Sequence, residues 1–194
     1  MLRRLYDWVM GLAAHPQASL WLFIVAFMES SFFPIPPHIM LIPMVIADRA
    51  KAWRYATIVT VGSVLGGIAG YFIGYALFDQ VGLPVLEFYG MGDKFKQFAE
   101  NYNAYGAWIV FTAGVTPFPY KVITIASGVT GLSFLVFLLA SIAARSLVFF
   151  VIAGLLYAFG QPIRMFIEKR LGLMFTIFLV LLFGGFIAIK YLVH

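Results

Sequence analysis

Four side chains able to carry charge, Glu29, His38, Lys121 and Arg145, stand inside runs of sequence that otherwise hold no formal charge. A charge in an apolar setting is costly unless it is paired, protonated or wetted, so each marks a place where the chain has chemistry to do. Glu29 either forms a structural pair, for instance with Arg145, or handles a proton or a ligand. His38 titrates near neutrality and suits a pH-sensing or ligand role, or is a hydrogen-bonded residue at a helix start. Lys121 either binds an anion or snorkels its ammonium to the interface. Arg145 keeps its charge at any physiological pH and must pair inward, with a phosphate or with Glu29. Thr116, Thr124 and Ser127 add hydroxyls, for a ligand or for freed backbone carbonyls.

Two proline breaks carry these groups. Glu29-Ser-Ser-Phe-Phe-Pro-Ile-Pro-Pro-His38 contains Pro34, Pro36 and Pro37, and Gly114-Val-Thr-Pro-Phe-Pro-Tyr-Lys121 contains Pro117 and Pro119. Proline lacks an N–H and its ring clashes with the preceding turn, so an apolar helix must break at each. Irregular backbone at membrane depth is tolerated where it is buried in protein or lines a wet cavity. The two breaks therefore read as hairpin tips and as halves of one polar site.

The medium follows from composition. Of 194 residues, 63% are apolar and 11% charged, with a mean hydropathy of +0.97. Soluble domains hold about 25% charged residues, so this is a polytopic membrane protein. There is no cysteine, hence no disulfide framework and no thiolate site. Three scattered histidines make no metal centre, and no phosphate loop, zinc-protease pair or nucleophile elbow is present. The expectation is a protein that is not an enzyme, without cofactor or metal. The net charge of +5 comes from clusters at helix ends, which speak to topology and headgroups rather than to nucleic acid. The N-terminal stretch has no proper h-region and is not expected to be a cleavable signal.

Helix geometry orders the chain as one all-α membrane domain over residues 1–194. Residues 1–15 suggest an amphipathic interfacial helix. Residues 17–47 form a first hairpin, because a return arm of His38–Ala47 covers only about 15 Å of a roughly 30 Å core. Residues 55–78 form a span whose Gly62, Gly66, Gly70 and Gly74 lay a smooth stripe for close helix contact. Residues 79–103 read as a polar loop with a surface helix. Residues 104–131 repeat the hairpin, and 133–159 and 171–190 are spans, giving about three full crossings. One span separates the hairpins, so they enter from opposite faces and their tips meet near the midplane, an inverted repeat. Eight basic residues lie on the first hairpin's side (3, 4, 49, 51, 54, 164, 169, 170) and three on the other (94, 96, 190), which would put the first hairpin in the cytosol.

Glu29-Ser-Ser-Phe-Phe-Pro-Ile-Pro-Pro, the glycine-rich span and Thr116-Pro-Phe-Pro-Tyr-Lys…Gly128 together resemble the DedA family, in its YqaA-like branch, within the superfamily of VTT (SNARE-associated) membrane proteins. The likeness runs from about residue 17 to 190. It implies a multi-pass protein of the bacterial inner membrane that moves lipids (a flippase), with undecaprenyl phosphate recycling the leading activity and the proton-motive force as driver. It also implies opposed re-entrant hairpins. The family's essential membrane acid falls on Glu29. His38 stands where the family has a second acid, Gly114 occupies the first arginine position of its second motif, and Lys121 lies near the second.

The expected function is thus transport of an anionic lipid phosphate or phospholipid. Its headgroup lies between Lys121, Arg145 and the tips, with protons as coupling ion and self-association open. The alternatives are a proton-coupled small-ion antiporter using Glu29 and His38, and a membrane scaffold that transports nothing.

Overall fold

The computed structural model describes residues 15–32, 36–116 and 118–160, and every regular element among them is helical. The elements are α1 (Ala18–Ser31), α2 (His38–Ala47), a 3₁₀ turn at Arg49–Lys51, and α3 (Ala52–Leu77). A π turn at Phe78–Gly82 leads into α4 (Leu83–Phe88), followed by α5 (Gly92–Ala104), α6 (Gly106–Val115) and α7 (Tyr120–Val129). The last is α8 (Phe134–Gly160). The expected amphipathic helix at the N-terminus, the span over 171–190, and the tip prolines Pro34 and Pro117 lie outside the described residues.

Length sorts these helices into two kinds. Among the described residues, two helical runs are long and apolar enough to cross a bilayer, Arg49–Phe88 and Phe134–Gly160. The 14 residues of α1 reach about 21 Å and the 10 residues of α2 about 15 Å. With 10 residues each, α6 and α7 also reach about 15 Å, so none of the four arms covers a roughly 30 Å core. Proline sets both breaks: Pro37 caps the N-terminus of α2 and Pro119 that of α7, where a missing N–H costs nothing. Pro43 lies inside α2 and removes one of its ladder bonds.

The glycine stripe decides how the arms pack. A Cβ on Gly62 or Gly66 would run into the backbone of Phe23 or Phe27 of α1. A Cβ on Gly70 would strike the Thr124 hydroxyl, and one on Gly74 the Ile125 carbonyl, both on α7. One face of α3 therefore clasps an arm of each hairpin, the first with its early glycines and the second with its late ones. Around this spine lie two apolar clusters. One joins Leu22, Met40, Val45 and Val59 to Phe149, and the other joins Tyr71, Val110 and Tyr120 to Phe137.

The segment expected to be a loop after residue 78 is helical instead. Asp79, Gln80 and Gly82 are absorbed in the π turn, and Pro84 stands in the first turn of α4, where it is tolerated. The surface helix follows as α5. Two left-handed glycines end helices in the same way. Gly90 (φ 63°) and Gly131 (φ 66°) allow the N–H of Met91 to reach the Leu86 carbonyl and that of Leu132 to reach Ser127. At the head of α3, Asp48 meets the Lys51 ammonium at 2.6 Å, and that hydrogen bond holds its carboxyl below the usual range.

Candidate functional site: a buried arginine at the hairpin break

Glu29 sits in the last turn of α1, where the helix is about to break, and Arg145 reaches it from α8. One terminal nitrogen of the guanidinium donates to Glu29 Oε2 at 3.1 Å, and Nε donates to Ser63 Oγ of α3 at 2.6 Å. Ser30 Oγ lies 2.7 Å from Ser63 Oγ and donates to Glu29 Oε2 at 3.1 Å. Ser63, accepting from Arg145, is then the donor to Ser30, so the bonds close a circuit: Arg145 to Ser63, Ser63 to Ser30, Ser30 to Glu29, and Arg145 back to Glu29. Only 5% of Arg145 is exposed. Its guanidinium lies over the rings of Tyr120, 4.8 Å to the centroid, and Phe149, at 4.6 Å. A planar, weakly hydrated cation suits such a slot where an ammonium would not.

The two hairpins also touch directly. Thr124 Oγ1 of α7 shares its hydroxyl proton between the Lys121 carbonyl at 2.9 Å and the Ser30 carbonyl at 3.2 Å, one of those the end of α1 leaves open. The Tyr120 hydroxyl faces Ser141 of α8 without closing a well-formed hydrogen bond, and both oxygens are buried.

The candidates read from the sequence separate into two groups. Glu29 and Arg145 are brought together. His38 opens α2 with its ring 5.2 Å from that of Phe149, so it borders the arginine through one shared aromatic ring. Lys121 is half-buried on the first turn of α7 and makes no ion pair among the described residues. The second hairpin meets the site through Tyr120, whose ring lies under the Arg145 guanidinium, and Thr124, which reaches the Ser30 carbonyl. Thr116 is exposed, and its hydroxyl bonds the Ala113 carbonyl at 3.5 Å, capping the freed end of α6. Pro36, Pro37 and Pro119 flank the returning arms. Ser30, Ser63, Tyr120 and Phe149 were not foreseen. The signal for Ser63 was its place beside Gly62 in the stripe, and for Tyr120 its place directly after Pro119. Among the described residues, no three His, Asp or Glu side chains come together as a metal site.

Helices broken at proline and clasped by a glycine-lined span, with a buried arginine paired to a partly buried acid, make an all-α architecture with two helices long and apolar enough to cross a membrane among the described residues. The VTT domain matches residues 33–158, and this chain belongs to that family, the DedA family. A protein of Haemophilus influenzae, itself uncharacterized, is 34% identical over 167 residues, 86% of each chain. An uncharacterized protein of Histophilus somni is 38% identical over 141 residues, 73% of each. No solved structure matches the chain.

Proposed function

We propose that this chain, a multi-pass protein of the bacterial inner membrane and not an enzyme, moves an anionic membrane lipid between leaflets. A lipid phosphate such as undecaprenyl phosphate is the best fit, with protons as the coupling ion. In this reading both hairpins are re-entrant, entering from opposite faces and meeting at the midplane. The observation that carries it is the Glu29–Arg145 pair, closed by Ser63 and Ser30 where α1 breaks. A carboxylate and a phosphate compete for the same guanidinium fork. Protonating Glu29 weakens its hold on Arg145 and frees the cation for a lipid phosphate. Losing the proton restores the pair and expels the lipid. Lys121, on the first turn of α7, supplies a second cation beside the break of the other hairpin.

The test is Glu29→Gln in reconstituted vesicles, with lipid affinity and flux followed from about pH 5.5 to 8.5. The amide mimics the protonated acid, so lipid binding should hold or tighten, flux should fall at least about tenfold, and the pH profile should flatten. Wild-type flux with a wild-type pH profile in the variant would sink the proposal. The near-complete enclosure of Arg145 favours one second reading, exchange of protons or small ions through the same pair without entry of a lipid. Flux that needs no anionic lipid in the vesicle would select it.

A further inference from the structure

Lys121 begins a stripe on α7 that continues through Ile125 to Val129, one residue per turn. Ile125 and Val129 form one wall of an apolar groove of about 470 Å³. Facing them are Val81 of the π turn, Val85 of α4 and Phe95 of α5. Gly74 forms the floor, since its missing side chain lets α3 meet the Ile125 carbonyl. Phe78, the first residue of the π turn, stacks on Phe95 at 4.8 Å and closes the far side. The groove is shallow and open to its surroundings, and no charged side chain lines it.

Its position beside Lys121 is what points to an occupant. Lys121 stands one helical turn before Ile125, about 6 Å along the axis between their Cα atoms, and its ammonium makes no ion pair among the described residues. A carbon-lined slot and an unpaired cation on one helix face are complementary to a molecule with a hydrocarbon chain and an anionic head. A cationic amphiphile would bring two like charges together, and a neutral chain would leave the ammonium unpaired.

We propose that this groove holds the hydrocarbon chain of one anionic membrane lipid while Lys121 binds its phosphate. The proposal rests on the reading of the chain as a lipid transporter and adds where the tail lies. The groove is a chain-length gauge, because each further methylene seated in it strengthens binding until it is full.

The experiment titrates hexyl, decyl and hexadecyl phosphate into the purified full chain in a non-ionic detergent. Hexadecyltrimethylammonium is the cationic control, and native mass spectrometry counts bound ligands. Wild type should take one ligand, with affinity rising at least about tenfold from hexyl to hexadecyl phosphate. Val85→Trp, which fills the groove, should flatten that rise relative to wild type in the same detergent while hexyl phosphate still binds within about twofold. Val81→Phe intrudes from the π turn and should do the same, providing a second variant should the tryptophan fail to fold. Lys121→Gln should weaken all three phosphates by about tenfold and keep the rise. A rise as steep in both groove variants as in wild type, or a cationic control bound as tightly as the phosphate, overturns the proposal. Glu29→Gln should leave the chain-length rise unchanged, so failure of transport and failure of the groove are read separately.

Discussion

The guanidinium of Arg145 draws its partners from four helices: Glu29 of α1, Ser63 of α3, Tyr120 of α7 and Phe149 of α8. Removing it strands a carboxylate in an apolar surround, the costly half of breaking a buried pair. Arg145→Ala should lower stability by about 3–5 kcal/mol, read as the midpoint of unfolding in detergent. Adding Glu29→Gln to that variant should recover much of the loss, because no uncompensated charge is left. Additive losses in the double variant would mean that the pair is not the source of the cost. Arg145→Lys keeps the charge but loses the fork and the ring stacking, so it should fold better than Arg145→Ala and still transport poorly. At this scale the sequence is most readable where a residue type is improbable for its surroundings. Glu29 and Arg145 announced themselves as charges in hydrocarbon, and their pairing was one of two readings held for Arg145. Ser63 and Tyr120 did not, since a serine beside small residues and a tyrosine after a proline are ordinary neighbours in an apolar chain.

Among the elements, α3 is where small side chains matter most. Gly66 meets the Phe27 backbone so closely that a Cβ has no room, and the carbonyl it would strike cannot rotate away as a side chain could. Gly66→Ala should cost about 1–3 kcal/mol and loosen the first hairpin from the spine. Gly92, at the start of α5, has nothing within 4 Å of where its Cβ would stand. Gly92→Ala should be neutral or stabilising by up to about 1 kcal/mol. Equal melting points for the two variants would refute the packing account of the stripe. The stripe and the short return arm His38–Ala47 were legible because glycine and proline act through the backbone, wherever tertiary contacts fall. The π turn was not. Asp79, Gln80 and Gly82 have loop composition, and it takes neighbouring helical structure on both sides to hold them in register.

For the whole molecule, the absence of cysteine makes the path of the chain through the bilayer directly measurable. Single cysteines at Gln17 and Ala50, introduced one at a time, should react with an impermeant maleimide from the same side of sealed vesicles. Cysteines at Asn101 and Ser133 should both react from the opposite side. Labelling of Gln17→Cys and Ala50→Cys from different sides would mean that the first hairpin crosses, ending the re-entrant proposal. The glycine clasps carry a mechanical consequence for such a path. From Gly62 to Gly74 the contact face of α3 runs about 18 Å, with α1 gripped at one end and α7 at the other. A rigid rod held at two ends is a lever. When it tilts about its middle, near Gly66 and Gly70, the two gripped arms are carried in opposite directions. In the transporter proposed above, a gap widened on one side of the bilayer would be matched by a gap narrowed on the other, and one rocking helix would keep the passage from standing open to both sides at once.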